Sequence, residues 1–231
     1  MKAKIVYLIT LVASVVLMVS GYDSKATAEP KTYFGDPVAA ATGQGTVRSY
    51  AQLRDDGSPV SLGIMFGKAM LNGLPSEPNT TSRCFDVNGN GVIERGECEG
   101  DFETILALPK EIGDKASMPL KWIAVNWNPE GHSAPAPPPW VAPHFDFHFY
   151  LMSKKAVQDI RPGKCGVLID CEDFKRATMP VPAQYLPKNH INVGAAVPAM
   201  GNHLIDTTTP ELAKPPTKFT HTFIYGAYDG H

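Results

Sequence analysis

The stretch PHFDFHFY at positions 143–150 alternates between aromatic and polar side chains. Successive side chains of a β-strand point to opposite faces of its sheet, so this pattern predicts a strand with one aromatic face and one polar face. The aromatic face carries Phe145, Phe147 and Phe149, which we expect in the core, and the polar face carries His144, Asp146 and His148.

Other segments also favour β-structure. Thr46–Leu53 and Val60–Phe66 flank the turn sequence Asp55-Asp56-Gly57, which is typical of a hairpin. Leu120–Trp127 and Phe219–Tyr228 are predicted as further strands.

Helices are expected to be few, because 21 prolines punctuate the chain. Lys68–Leu74 predicts a helical turn, and the apolar spacing in Gly100–Leu108 predicts a short helix. We therefore expect residues 29–231 to form a single, mainly β domain, sandwich-like or barrel-like, with one or two short helices. An α+β fold is the alternative.

The composition excludes several classes of protein. The 231 residues are 43% hydrophobic and 19% charged, which is typical of a globular chain with a core. The formal net charge is -2 and there is no basic block, so binding to nucleic acid through phosphate neutralisation is not expected.

The first 28 residues have the order of a secretory signal peptide. Lys2 and Lys4 precede an apolar run, and Ala26-Thr27-Ala28 is a cleavage sequence that predicts a mature start at Glu29. The alternative is an uncleaved membrane anchor. We favour cleavage, which predicts a periplasmic or extracellular protein without a stable membrane span.

Export would place the four cysteines in an oxidising compartment, where disulfides form. Three pairings are open, and the most local one joins Cys84 to Cys98 and Cys165 to Cys171. Free buried thiols are the alternative.

Residues 86–97, DVNGNGVIERGE, match the calcium-binding loop of an EF-hand position by position. Gly91 stands at the sharp turn. The predicted calcium ligands are Asp86, Asn88, Asn90, the Val92 carbonyl, Glu94 and Glu97.

The flanks of this loop depart from a complete EF-hand. Pro75 and Pro78 leave no room for an entering helix, so we expect a loop followed by an exiting helix. The predicted role of calcium is to rigidify the loop. The alternative is an Asn- and Gly-rich surface turn without an ion.

The polar face of the 143–150 strand is a candidate site for zinc or another transition metal. His144 and His148 lie roughly 13 Å apart at Cα on a flat strand, whereas neighbours two apart lie roughly 6.6 Å apart. Asp146 with either histidine is therefore the workable pair. For the third ligand His203 is the first candidate, since Gly201 permits close backbone approach, and His132 is the second.

Three interpretations of this face stay open: a metal site, a metal-free hydrogen-bonded network, and a histidine general base oriented by Asp146. They correspond to two functional classes, an exported metal-binding protein without catalysis and a secreted, hydrolase-like metal enzyme that activates water. We favour the first class. The sequence contains no feature that identifies a substrate.

Several motifs together resemble a bacterial family of exported proteins that carry a domain of unknown function, typified by a Thermus protein under the control of an extracytoplasmic-function sigma factor and its anti-sigma factor. The motifs are Gly43–Thr46, Asp56–Pro59, Leu71–Pro75, Gly131-His132, Pro143–Tyr150, Val197–His203 and Phe219–Gly230. The resemblance implies a mainly β fold, export and ring-like homo-oligomerisation, with no assigned reaction. In that family the chain continues beyond the position of His231, so we expect a return strand after Asp229-Gly230 to be missing here.

Overall fold

The computed structural model describes residues 29–115, 118–132 and 138–231, so the predicted signal peptide at residues 1–28 lies outside the described residues. Within these ranges there are thirteen strands and three α-helices. The strands are β1 (Lys31–Phe34), β2 (Val38–Ala39), β3 (Thr46–Leu53), β4 (Pro59–Phe66), β5 (Asn79–Cys84), β6 (Cys98–Gly100), β7 (Phe102–Ala107), β8 (Trp122–Asn128), β9 (His144–Tyr150), β10 (Pro162–Cys165), β11 (His190–Val197), β12 (Gly201–Asp206) and β13 (Ile224–Ala227).

The helices are α1 (Lys110–Lys115), α2 (Lys154–Gln158) and α3 (Cys171–Ala177), with 3-10 helices at Lys68–Leu71, Pro138–Val141 and Pro210–Leu212. The mainly β prediction is confirmed, although the α-helices number three where one or two were expected. None of the helices in the described ranges is both long and apolar enough to cross a bilayer.

Twelve of the strands form four small antiparallel sheets, and β10 forms only isolated bridges to Ile169. In the first, β3 pairs with β1, β2 and β4; the others are β5-β6, β7-β8-β9 and β11-β12-β13. Over residues 29–115, 118–132 and 138–231 no sheet closes into a barrel. The β-rich domain is thus built from several short antiparallel sheets and not from a closed barrel within these ranges.

The predicted hairpin is confirmed, and β3 pairs with β4 from Val47↔Phe66 to Leu53↔Pro59. Gly57 adopts φ 80° in its turn, a conformation that favours glycine. The predicted helix at Gly100–Leu108 is wrong, because this backbone pairs with β8 along the whole of β7. The predicted strand at Phe219–Tyr228 is shorter, since only β13 pairs with β12.

The principal core lies between the first sheet and the β7-β8-β9 sheet. Its buried side chains are Ala40, Val47, Met70, Leu106, Ile123 and Val125. Phe145 packs against this core, whereas Phe147 is 45% exposed and Phe149 is 41% exposed, so the expectation that all three phenylalanines are buried is wrong. β9 is an edge strand of its sheet, and the buried core residues that this sheet contributes lie on β7 and β8.

Both local disulfides are confirmed. Cys84 and Cys98 stand opposite each other on β5 and β6 and close the loop that carries the calcium motif. Cys165 at the end of β10 is joined to Cys171, the first residue of α3.

Candidate metal centre

The β7-β8-β9 sheet has one polar face. The register places Asn128 opposite His144 and Asn126 opposite both Asp146 and Glu103. Directly opposed residues of antiparallel strands share a face, so these side chains and His148 are brought together by strand pairing alone.

Asp146 is the centre of a group of three metal-ligating side chains. His132 Nε2 lies 3.1 Å from Asp146 Oδ2, and His144 Nε2 lies 3.4 Å from Asp146 Oδ1. One ligand atom from each of His132, His144 and Asp146 lies within 4.8 Å of the others. We call this group the Asp146 triad.

The spacing of the two imidazoles suits a single ion. The ring centroids of His132 and His144 are 4.8 Å apart. Two imidazoles that bind one tetrahedral zinc ion through Nε2 have centroids about 5.2 Å apart, given Zn–N bonds of about 2.0–2.1 Å. The triad therefore needs only a small adjustment to hold one ion.

The protonation states are set by burial and by close partners. Burial acts to raise the pKa of Asp146, but the hydrogen bonds from His132 and His144 outweigh it and hold the pKa well below its ordinary value. Burial acts to lower the pKa of His144, and its contact with Asp146 reverses this, so the pKa is raised. Asp146 is thus an ionised carboxylate that can bind a cation.

Outer contacts orient the triad. His144 Nδ1 lies 2.6 Å from the Ala142 carbonyl oxygen, and because a carbonyl only accepts, Nδ1 carries a proton. A metal ion would therefore bind at Nε2, in place of the proton that Nε2 donates to Asp146 Oδ1. Asn128 Nδ2 donates to Asp146 Oδ2 at 2.8 Å. Metal-ligating histidines are commonly held in this way.

His132 reaches the triad from the loop after β8. Its backbone N–H donates to the Trp140 carbonyl at 3.0 Å, which ties the loop to the segment that precedes β9. Gly131 has φ 64°, and a Cβ there would lie 2.4 Å from the Trp140 carbonyl oxygen. Only glycine allows this close approach, and the His132 side chain remains 46% exposed.

The two other predicted histidines form a separate pair. His203, the first candidate for the third ligand, lies beside His148, whereas His132, the second candidate, lies beside Asp146. The His148 and His203 ring centroids are 6.3 Å apart. Burial lowers the pKa of His148 to about 4 and also lowers the pKa of His203, so both rings are neutral at neutral pH.

The sequence did not predict a buried ionic network that lies next to His148. Arg83 contacts Asp101 and lies 3.1 Å from Glu103, and Asn126 donates to both carboxylates. Arg83 lies on β5 and Asn126 on β8, whereas Asp101 and Glu103 lie at the start of β7, so no local spacing links the three segments. The available signal was Asn126 itself, an amide within the apolar strand 122–127.

The calcium motif forms an ordered loop. The Asp86 carboxylate accepts the backbone N–H groups of Gly89, Asn90 and Gly91 at 2.7, 3.2 and 2.7 Å. Buried Glu97 accepts those of Val87 and Glu94 at 2.8 and 2.9 Å.

The expected exiting helix after the loop is wrong, because β6 begins at Cys98 and pairs with β5. The Cys84–Cys98 disulfide and this pairing hold the chain extended where an EF-hand would continue as a helix. The loop therefore stands alone, without flanking helices.

No family model, no curated protein and no solved structure matches this chain.

Proposed function

We propose that this chain is an exported metal-binding protein whose principal centre is the Asp146 triad. The observation that carries the proposal is the convergence of His132, His144 and Asp146 within 4.8 Å. Two imidazole nitrogens and one carboxylate oxygen suit zinc or a neighbouring divalent transition metal. The two disulfides and the signal-like residues 1–28 support export.

The exposure of His132 favours a second candidate function. Three protein ligands leave a fourth tetrahedral position for water, and the half-exposed His132 side chain keeps that position near solvent. A hydrolase-like metal enzyme would use this water as its nucleophile.

The test is a zinc titration of metal-free protein by calorimetry, repeated with Co²⁺ by absorption. We expect His132→Gln and Asp146→Asn each to lower the affinity for one zinc ion by about 100-fold or more, since even changes to outer-shell residues lower metal affinity about 10–100-fold. Tetrahedral cobalt bands should be weaker in the same variants.

The matched control for this titration is His221→Gln. His221 is exposed, and its ring contacts only its neighbour Thr220 among the described residues. Equal zinc affinity in the triad variants and in this control, with all proteins folded by circular dichroism, would contradict the proposal.

We also propose that the 86–97 loop binds calcium. Loop amides already orient the carboxylates of Asp86 and Glu97. Asp86 Oδ2 and both Glu97 oxygens each accept one loop amide and have a second lone pair to offer a cation. Gly91 has φ 80° at the sharp turn of the loop, as the motif requires.

We expect calcium to raise the melting temperature of the wild type and to have little effect on Glu97→Gln, which lacks the carboxylate at loop position 12. Glu172→Gln is the control, because Glu172 is an exposed residue at the start of α3. A calcium-induced shift of the same size in Glu97→Gln would show that the loop is not the site.

A further inference from the structure

A second pair of histidines connects the sheet of the Asp146 triad to a different sheet. His148 lies on β9 and His203 on β12, and their rings meet edge to face at an interplanar angle of 77°. We infer that His148 and His203 form a second transition-metal position, distinct from the triad, in which the ion joins the two sheets. This inference goes beyond the proposed function, which requires only the triad.

The tautomer of His148 is determined by its hydrogen-bond partner, Asn126. Asn126 Nδ2 donates to Asp101 and Glu103, so the amide oxygen, and not the nitrogen, faces His148. That oxygen lies 3.1 Å from His148 Nδ1 and only accepts, so Nδ1 carries the proton. The lone pair of His148 is therefore on Nε2.

His203 is oriented in the same way. Its Nδ1 lies 2.9 Å from the Ala195 carbonyl oxygen, which also only accepts, so the lone pair is again on Nε2. No described residue forms a hydrogen bond with Nε2 of either His148 or His203. A metal-ligating histidine commonly donates a hydrogen bond from one ring nitrogen to an oxygen and binds the ion through the other nitrogen.

The distance between the two rings allows a single ion to bind both of them. Two imidazoles bound through Nε2 have centroids about 5.2 Å apart in a tetrahedral site and about 6.4 Å apart when they are on opposite sides of the ion. The observed 6.3 Å lies within that range. A decrease of about 1 Å in the distance between the ring centroids would give the spacing of a tetrahedral site.

The surrounding charges favour a cation. The Asp146 carboxylate attracts a cation at His148 and at His203, whereas His132 opposes one. Arg83 opposes a cation near His148, but its charge is paired with Asp101 and Glu103.

The ligand class follows from the donors. Two imidazole nitrogens suit Zn²⁺, Cu²⁺ or Ni²⁺ and do not suit Ca²⁺, which takes oxygen ligands. The remaining coordination positions would be filled by water or by an exogenous small molecule.

The test is the zinc stoichiometry of metal-free protein, measured by elemental analysis after equilibrium dialysis. We expect two zinc ions in the histidine and aspartate sites of the wild type, one in His203→Gln and one in His132→Gln. His190→Gln is the matched control. His190 is also buried, and its Nδ1 lies 3.1 Å from the Lys188 carbonyl oxygen. Its described ring neighbours are Phe223 and Tyr225 and not a histidine.

The outcomes separate the two proposals. One zinc ion in the wild type that is retained in His203→Gln, or two zinc ions in His203→Gln, overturns the second position. Loss of one ion in His203→Gln with no loss in His132→Gln keeps the second position and overturns the triad.

A measurement on the wild type removes any dependence on the folding of the variants. Long-range ¹H–¹⁵N spectra report each imidazole nitrogen, so zinc should shift the Nε2 resonances of His148 and His203 and leave Nδ1 protonated. Unchanged Nε2 resonances at saturating zinc would refute the second position.

Discussion

Replacement of Arg83 by methionine is expected to lower the free energy of unfolding by about 3–5 kcal/mol. The Arg83 side chain is 10% exposed, and its partner Asp101 is 2% exposed. Without the guanidinium, the buried Asp101 carboxylate and the partly buried Glu103 carboxylate would have no described cation in contact with them. Urea unfolding followed by circular dichroism measures the loss.

Arg176→Met is the matched control for this variant. Arg176 also pairs with an aspartate, Asp229, at 2.8 Å, but its side chain is 53% exposed. An exposed pair contributes only about 0–1 kcal/mol, so this variant should remain close to the wild type. Losses of equal size in the two variants would contradict a special role for the buried network.

Replacement of Glu99 by glutamine is expected to flatten the pH dependence of stability above about pH 5. Glu99 Oε1 is buried and has no hydrogen-bond partner in the described part of the chain. Burial raises the pKa of Glu99 from the ordinary value of 4.5 to about 8, and the Arg83 charge offsets this only in part.

The sign follows from proton binding. Between pH 4.5 and about 8 the folded protein retains a proton on Glu99 that the unfolded chain has released. This contribution to stability is therefore complete below pH 4.5 and is lost as the pH rises towards 8, at up to about 1.4 kcal/mol per pH unit.

The measurement is the free energy of unfolding of wild type and Glu99→Gln from pH 5 to pH 8. We expect the wild type to lose at least about 2 kcal/mol relative to the variant over this range. Subtraction of the two profiles removes the titration of the histidines, which both proteins share. The exposed variant Glu172→Gln should run parallel to the wild type, and parallel profiles for Glu99→Gln would contradict the prediction.

The Arg83 prediction bears on the histidine pair. Arg83, Asp101 and Asn126 form a continuous chain of contacts to His148 Nδ1. Disruption of the ionic network would therefore also release the amide that sets the His148 tautomer.

The candidate site was only partly predictable from the sequence. Alternation in residues 143–150 identified His144, Asp146 and His148 as one face of a strand, because the period of two is a property of the extended backbone. The choice between His132 and His203 depended on the path of the loop after β8, which Gly131 and its contact with Trp140 determine. No spacing in the sequence carries that information.

The fold shows the same limit. The apolar spacing of Phe102, Ile105 and Leu106 fits a helix, but the partner strand β8 lies beside this segment and takes its backbone hydrogen bonds. Phe147 and Phe149 have the same local pattern as Phe145, and their exposure reflects the edge position of β9.

The sequence by itself determined the features that depend on neighbours along the chain: the alternating strand, the β3–β4 hairpin and the two short-range disulfides. The tertiary structure alone decided the membership of the Asp146 triad, the His148–His203 pair and the Arg83 network. The physical reason is that these groups join residues from different strands and loops. Their distances are set by the packing of the sheets and by loop closure, which no local period encodes.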